Sequence, residues 1–180
     1  MDVRSGILIV IALLFTFFVT YTTTPLVRKL AFRVGAIDVP KDERRMHKKP
    51  MPRFGGIAIY LGIMAALAVF ALKDKGITSV MTGCTLIYML GLIDDLKDLK
   101  PLVKLCGQIV CATVVYIMGV RIEFITNYFG PGNMAFGDVA CFIITVLWLI
   151  AITNAVNLID GLDGLAAGIA AISALCIGYV

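Results

Sequence analysis

Between Asn154 and Gly164 the chain reads Asn-Ala-Val-Asn-Leu-Ile-Asp-Gly-Leu-Asp-Gly. Asn154, Asn157, Asp160 and Asp163 recur at every third position, which on a helix makes a slowly drifting stripe along one face. Apolar runs flank the stretch, Val139 to Thr153 before it and Leu165 to Val180 after it. Unpaired amides and carboxylates are costly to bury, and polar groups among membrane segments point first to function. Gly161 and Gly164 let the backbone break or approach a ligand closely. The plainer reading is a polar turn between helices, which Asn, Asp and Gly suit. The regular spacing and the two companion motifs argue against it.

The first companion is Asp94-Asp95-Leu96-Lys97-Asp98. On a helix Asp94 and Asp98 would share a face, with Asp95 three residues from Asp98. Clustered carboxylates repel and call for a cation. Mg2+ suits a phosphate substrate, because it takes one or two carboxylates plus phosphate oxygens and water. Close carboxylates can also split their proton affinities and leave one as a general base. The alternative is a solvated loop in which Lys97 and Lys100 are surface partners. The second companion is the basic stretch 28–53, with nine Lys and Arg against Asp38, Asp42 and Glu43. Such clusters fix phosphates, and Gly55-Gly56 at a helix start can turn N–H groups toward an anion. Anchoring to anionic lipid is the competing use of the same charges. The lone His47 lies in this stretch, either solvated or facing substrate.

These motifs sit in a chain of 180 residues that is 60% hydrophobic and 16% charged, with mean hydropathy +0.96. Soluble domains are roughly 45–50% apolar. Apolar runs of the ~17–25 residues needed to cross a bilayer occur several times. Alternating ten-residue segments of a β-barrel are absent. The expected fold is therefore all-α, a multi-pass transmembrane helical bundle forming one domain. Five spans are expected, Gly6–Val27, Phe54–Leu72, Ile77–Ile93, about 102–120 and Val139–Ile159, with a sixth beginning at Leu165. The first is too long for a signal-peptide core and reads as a retained helix. Residues 121–138 read as a connecting loop whose Phe124, Tyr128, Phe129 and Phe136 suit a membrane interface. The five cysteines, Cys84, Cys106, Cys111, Cys141 and Cys176, lie in apolar segments without a Cys-x-x-Cys pair. They read as small hydrophobes, neither metal ligands nor disulfides.

Charge sets the expected orientation. Stretches 28–53, 94–104 and 154–164 would share one side and together hold twelve Lys and Arg, against four on the other side. The excess marks the cytoplasmic side, so the N-terminus is expected outside. All three polar stretches, with loops 28–53, 94–101 and 154–164, then face the cytoplasm. Membrane topology accounts for much of the net charge of +4, which gives no sign of nucleic-acid binding.

Arg44 to Gly56, Gly91 to Asp98 and Asn154 to Gly168, taken in order, resemble the polyprenyl-phosphate N-acetylhexosamine-1-phosphate transferases. The resemblance covers nearly the whole chain. Met51-Pro52-Arg53-Phe54 and Asp98 look like the bacterial N-acetylglucosamine 1-phosphate branch, which starts teichoic acid linkage units, O-antigens and related glycans. The muramoyl-pentapeptide branch usually has Thr-Pro-Thr-Met and a lysine there. The resemblance implies transfer of a sugar 1-phosphate from a UDP-N-acetylhexosamine to polyprenyl phosphate, with Mg2+ or Mn2+ and release of UMP. It implies that Asp94 and Asp95 lie beside metal and lipid phosphate, one of them taking the phosphate's proton. Lys104 matches a phosphate-contacting lysine, and Asn157 a metal ligand. Asp163 matches a uridine-pocket position, with Asn154 and Asp160 shaping the same pocket. Lys48 and Arg53 are candidate contacts to the nucleotide or diphosphate. Membrane lipids are implied as surroundings, the inner membrane as the location, and a homodimer is compatible. Family chains run to about twice the spans seen here. By the resemblance, the sequence corresponds to the N-terminal part of such an enzyme, inactive as an isolated piece.

Two other classes share parts of this pattern. A secondary transporter also has polar, glycine-broken helices with carboxylates, but its acidic groups belong near the bilayer midplane, whereas these lie at span ends. Asp163 to Gly168 superficially matches the Asp-Gly-x-x-Ala-Arg opening of CDP-alcohol phosphotransferases, with Gly168 where the arginine belongs.

Overall fold

The computed structural model describes residues 3–38, 51–52, 54–71, 75–127, 130–160 and 164–179. Among these described residues six helices follow the apolar runs: α1 (Val3–Val34), α2 (Gly55–Phe70), α3 (Lys75–Lys97), α4 (Pro101–Ile117), α5 (Asp138–Ile159) and α6 (Leu165–Tyr179). Three of them, over Gly6–Val34, Gly76–Lys97 and Asp138–Ile159, are long and apolar enough to cross a membrane. The 16 residues of α2 and 17 of α4 reach about 24–26 Å at the usual helical rise, less than a ~30 Å hydrocarbon core. Large apolar side chains line the outside, among them Leu13, Leu14, Phe17, Phe18 and Tyr21 of α1. Lipid, rather than water, is the solvent that such a surface requires. The protein is an integral membrane protein.

Two segments read as loops are partly helix. The first helix does not stop at Val27 but carries Arg28, Lys29 and Arg33 to its end at Val34. The third carries Asp94 and Asp95 in its last turns. Hydropathy marks where chain ceases to suit lipid, while backbone hydrogen bonding continues beyond it. Pro25 lies inside α1 and cannot donate to the helix ladder. Around it Thr22, Thr23 and Thr24 donate hydroxyl protons to carbonyls three or four residues back.

The described residues also form two short antiparallel ribbons. In one, β1 (Ile37–Asp38) pairs with β2 (Met51–Pro52), Ile37 opposite Pro52, and so brings together the two ends of the basic stretch. In the other, β3 (Phe124–Thr126) pairs with β4 (Asn133–Ala135), Ile125 opposite Met134. The loop expected over 121–138 is thus a hairpin. The Ile122 N–H donates to the buried Thr145 hydroxyl, 2.9 Å away, which fixes the hairpin to α5.

Packing is sequential: α1 on α2, α3 on α4, α4 on α5, with a lighter contact between α5 and α6. Val27, Ala31, Ala36, Phe54 and Ala58 form a buried cluster that joins the end of α1 to the start of α2, with Leu92 of α3 against it. Tyr60 of α2 stacks on Tyr88 of α3 with ring centroids 4.1 Å apart. Its hydroxyl lies 2.9 Å from that of Thr85. These contacts bring the end of α3 beside the start of α2.

Candidate active site

The site begins with a conflict at the end of α3. A carboxylate near a helix C-terminus faces the negative end of the helix dipole, yet Asp94 lies there. The helix ends because Asp98 turns left-handed, φ 45°, while its N–H still reaches the Asp94 carbonyl at 2.8 Å. Asp98 therefore leaves the helix and does not share a helical face with Asp94, contrary to the periodic reading. Lys100 is extended, as a residue before proline must be, and Pro101 opens α4 at a position where no N–H is needed. This tight connection points the first turn of α4 back at Asp94. The Leu99 N–H donates to Asp94 Oδ1 at 3.1 Å, and Lys104 Nζ donates to Oδ2 at 2.7 Å. The ion pair offsets both misplaced charges, an anion at a helix C-terminus and a cation near a helix N-terminus.

From Lys104 the network crosses to α5. Its ammonium lies 3.4 Å from Asn157 Oδ1. One turn further into the bundle, Gln108 and Asn154 exchange hydrogen bonds. The Asn154 amide donates to Gln108 Oε1 at 2.8 Å, and Gln108 Nε2 donates to Asn154 Oδ1 at 3.3 Å. Asn154 Nδ2 also donates to the Ile150 carbonyl at 2.9 Å. Gln108 is 3% exposed. Antiparallel packing makes the pattern, since Lys104 and Gln108 are one turn apart on α4, and Asn154 and Asn157 nearly one turn apart on α5. Gln108 has a sequence signal of its own: an amide inside an apolar run, four residues after Lys104.

Asp95 occupies a different face of α3. It borders a cleft of about 150 Å3 with Phe54, Gly56, Ile57, Tyr88, Gly91 and Leu92, against the start of α2. A second, apolar cavity of about 220 Å3 lies between α3, α4 and α5, lined by Cys84, Ile87, Cys111, Ala112, Leu149 and Thr153, with Gln108 on its wall. Asp160 is the exposed residue that ends α5. Lys48, Arg53, Asp163 and His47 lie outside the described residues.

Asp94, Lys104, Asn154 and Asn157 are thus brought together, and Asp95 lies on the next face. Among the described residues no group of three or more His, Cys, Asp or Glu is placed to hold a metal. Mg2+ does not need one, because one or two protein oxygens suffice when phosphates and water complete the shell. Asp94 Oδ2 and Asn157 Oδ1 already converge on one cation, the Lys104 ammonium. With the Lys104 ammonium turned to a phosphate, Asp94 Oδ2 and Asn157 Oδ1 would be the two protein oxygens left to such an ion.

Residues 77–180 match the model of a family described as "Glycosyl transferase family 4". The chain is 38% identical over 165 residues, 91% of its length, to a Bacillus subtilis protein described as "Probable undecaprenyl-phosphate N-acetylglucosaminyl 1-phosphate transferase". It is 38% identical over 169 residues to the decaprenyl-phosphate N-acetylglucosaminephosphotransferase of Mycolicibacterium smegmatis, which is 88% of this chain. With the Escherichia coli K12 undecaprenyl-phosphate alpha-N-acetylglucosaminyl 1-phosphate transferase it shares 28% identity over 154 residues, 85% of this chain. The matches span 46%, 41% and 41% of those relatives, so the chain covers less than half the length of each.

Proposed function

The chain belongs to glycosyl transferase family 4, and from that premise we propose that the protein transfers N-acetylglucosamine 1-phosphate from its UDP-sugar to a polyprenyl phosphate, releasing UMP. The observation that carries the reading is the convergence of Asp94, Lys104 and Asn157 from three helices at one end of the bundle. The names of the relatives supply the lipid phosphate and the N-acetylglucosaminyl phosphate.

In the proposed reaction an oxygen of the acceptor phosphate attacks the β-phosphorus of the UDP-sugar. The new P–O bond forms as the bond to UMP breaks, and UMP leaves with the electron pair. Chemistry of this kind asks the protein mainly for position and charge. Lys104 presents its ammonium to the phosphates, and Asp94 fixes where that ammonium points. Asp94 and Asn157 would hold Mg2+ or Mn2+, which offsets charge on the diphosphate and on the departing UMP. One of the paired aspartates takes the remaining proton of the acceptor phosphate. Asp95 stands beside α2, where the start of that helix offers N–H groups to an anion. The apolar cavity below Gln108 has the chemistry to receive isoprenoid units of the acceptor.

By the distribution of Lys and Arg, this end of the bundle faces the cytoplasm. The reaction would then be the first membrane step of a cell-surface glycan. The test incubates the complete protein in membranes with UDP-N-acetylglucosamine and polyprenyl phosphate, and follows UMP and the lipid product. Failure to release UMP with any UDP-N-acetylhexosamine would sink the reading.

A further inference from the structure

We infer that Gln108 is a positioning residue: its amide pair with Asn154 sets the register of α4 against α5 and so holds the Lys104 ammonium between Asp94 and Asn157. The functional meaning of this inference rests on the transfer reaction proposed above.

A neutral glutamine that is 3% exposed inside an apolar helix needs a partner to offset its lost water. Asn154 is that partner, and both its amide hydrogens are engaged, one by Gln108 and one by the Ile150 carbonyl. The pair is therefore directional. It can form only when position 108 lies opposite position 154, unlike the apolar contacts around it, which tolerate sliding. Lys104 is one turn before Gln108, and Asn157 nearly one turn after Asn154. Fixing the inner rung fixes the outer one. The 3.4 Å contact from Lys104 to Asn157 is long, so it does not set the register by itself. Asn154 accordingly supports the site from behind through Gln108.

A pair that only stabilised the fold would lower the melting temperature and leave Lys104 as it is in every folded molecule. The test is therefore reductive methylation of the complete protein in detergent, read by mass spectrometry at Lys104. The exposed Lys97 and Lys100 serve as internal standards. Four proteins are compared: wild type, Gln108→Leu, Gln108→Leu with Asn154→Leu, and the exchange Gln108→Asn with Asn154→Gln. The double leucine variant leaves no orphan amide, so it keeps the test open where the single variant folds poorly.

Lys104 labelling is expected to rise severalfold in both leucine variants relative to Lys97 and Lys100, and to return toward wild type in the exchange. Turnover of the leucine variants should fall roughly 10- to 100-fold, the scale of a small misplacement of a reacting group. KM for UDP-N-acetylglucosamine should stay within about twofold, since uniform binding is not what is lost. Lys104 labelling at the wild-type level in folded leucine variants would overturn the inference. If wild type released no UMP while the labelling pattern held, the transfer reading would fail and the positioning role would stand.

Discussion

Lys104 reaches back ten residues along the chain to place its ammonium 2.7 Å from the carboxylate of Asp94. Both side chains are about one quarter exposed, 24% and 22%. Solvent still reaches both groups and the Leu99 N–H also bonds Asp94, so the pair's contribution is nearer the ~0–1 kcal/mol of exposed pairs than the ~3–5 kcal/mol lost when a fully buried pair is broken. Lys104→Met should therefore leave the melting temperature nearly unchanged. Turnover should fall by about 10²–10³, as expected when a fixed charge facing a phosphate is removed. Parallel thermal melts and UMP-release rates check this. A loss of stability matching the loss of activity would make the pair structural.

The paired aspartates face different neighbours, Asp94 toward α4 and α5 and Asp95 toward α2. Asp94→Asn and Asp95→Asn should each lower turnover far more than they weaken UDP-sugar binding, because charge matters most where it develops. Asp94→Asn should in addition raise the amine reactivity of Lys104, and Asp95→Asn should not. Asp98, turned out of the helix at φ 45°, should give a milder effect as Asp98→Asn. Calorimetric binding beside steady-state rates separates these outcomes. Wild-type turnover in either of the first two variants would remove that residue from the catalytic set.

The sequence shows where helices run because lipid imposes long apolar runs, and α2, α4 and α5 begin and end within a few residues of those runs. It misplaces the ends of α1 and α3, where Arg28, Arg33, Asp94 and Asp95 are polar yet helical. It makes Asp94 and Asn157 visible as residues out of place. Their meeting through Lys104, and the Gln108–Asn154 pair, arise from antiparallel packing that no local pattern records. Asp98 departs from helical spacing because the chain must turn before Pro101. The hairpin has a local signal: Phe124-Ile125-Thr126 is a strand-forming run, and Gly130-Pro131-Gly132 is made of turn residues.

The Lys and Arg asymmetry leads to the prediction that residues 28–53, 94–101 and 154–164 face the cytoplasm. A single cysteine at position 97, in a protein freed of its five native cysteines, should react with an impermeant maleimide only after the membrane is opened. Lys97 is exposed at the end of α3, so access is not limited by the fold. Labelling in intact cells would invert the topology.

Chelation should abolish transfer, and Mg2+ or Mn2+ should restore it. Asn157 is exposed, and its Oδ1 shares a cation with Asp94. Asn157→Ala should raise the Mg2+ concentration for half-maximal turnover roughly 10- to 100-fold, the cost typical of disturbing a metal site. Melting temperature should change little, since an exposed amide is lost. The readout is a Mg2+ titration of rate for wild type and variant. Identical half-saturation would remove Asn157 from the proposed metal site.

The last prediction concerns the packing that carries the site. Gly62 of α2 is buried against α1. A Cβ built there would overlap the Thr20 hydroxyl and come within 3.0 Å of the Thr16 carbonyl oxygen. Thr20 is β-branched and stiff, and its neighbours in α1 use their hydroxyls to bond the helix around Pro25. The backbone oxygen cannot rotate away. Gly62→Ala should therefore force α1 and α2 apart and cost about 1–3 kcal/mol, as overpacking usually does. Ordinary helix propensity pulls the other way, because Ala is favoured over Gly by about 1 kcal/mol. Gly178 of α6, where a Cβ would meet nothing within 4 Å, isolates that opposing effect. Thermal melts of both variants in one detergent should show Gly62→Ala below wild type and Gly178→Ala at or above it. Separation of α1 from α2 also disturbs the cluster of Val27, Ala31, Phe54 and Ala58, which sets the start of α2 beside Asp95. Gly62→Ala should accordingly reduce turnover per folded molecule as well as stability. A variant that melts like wild type would show that the two helices are not held at this crossing.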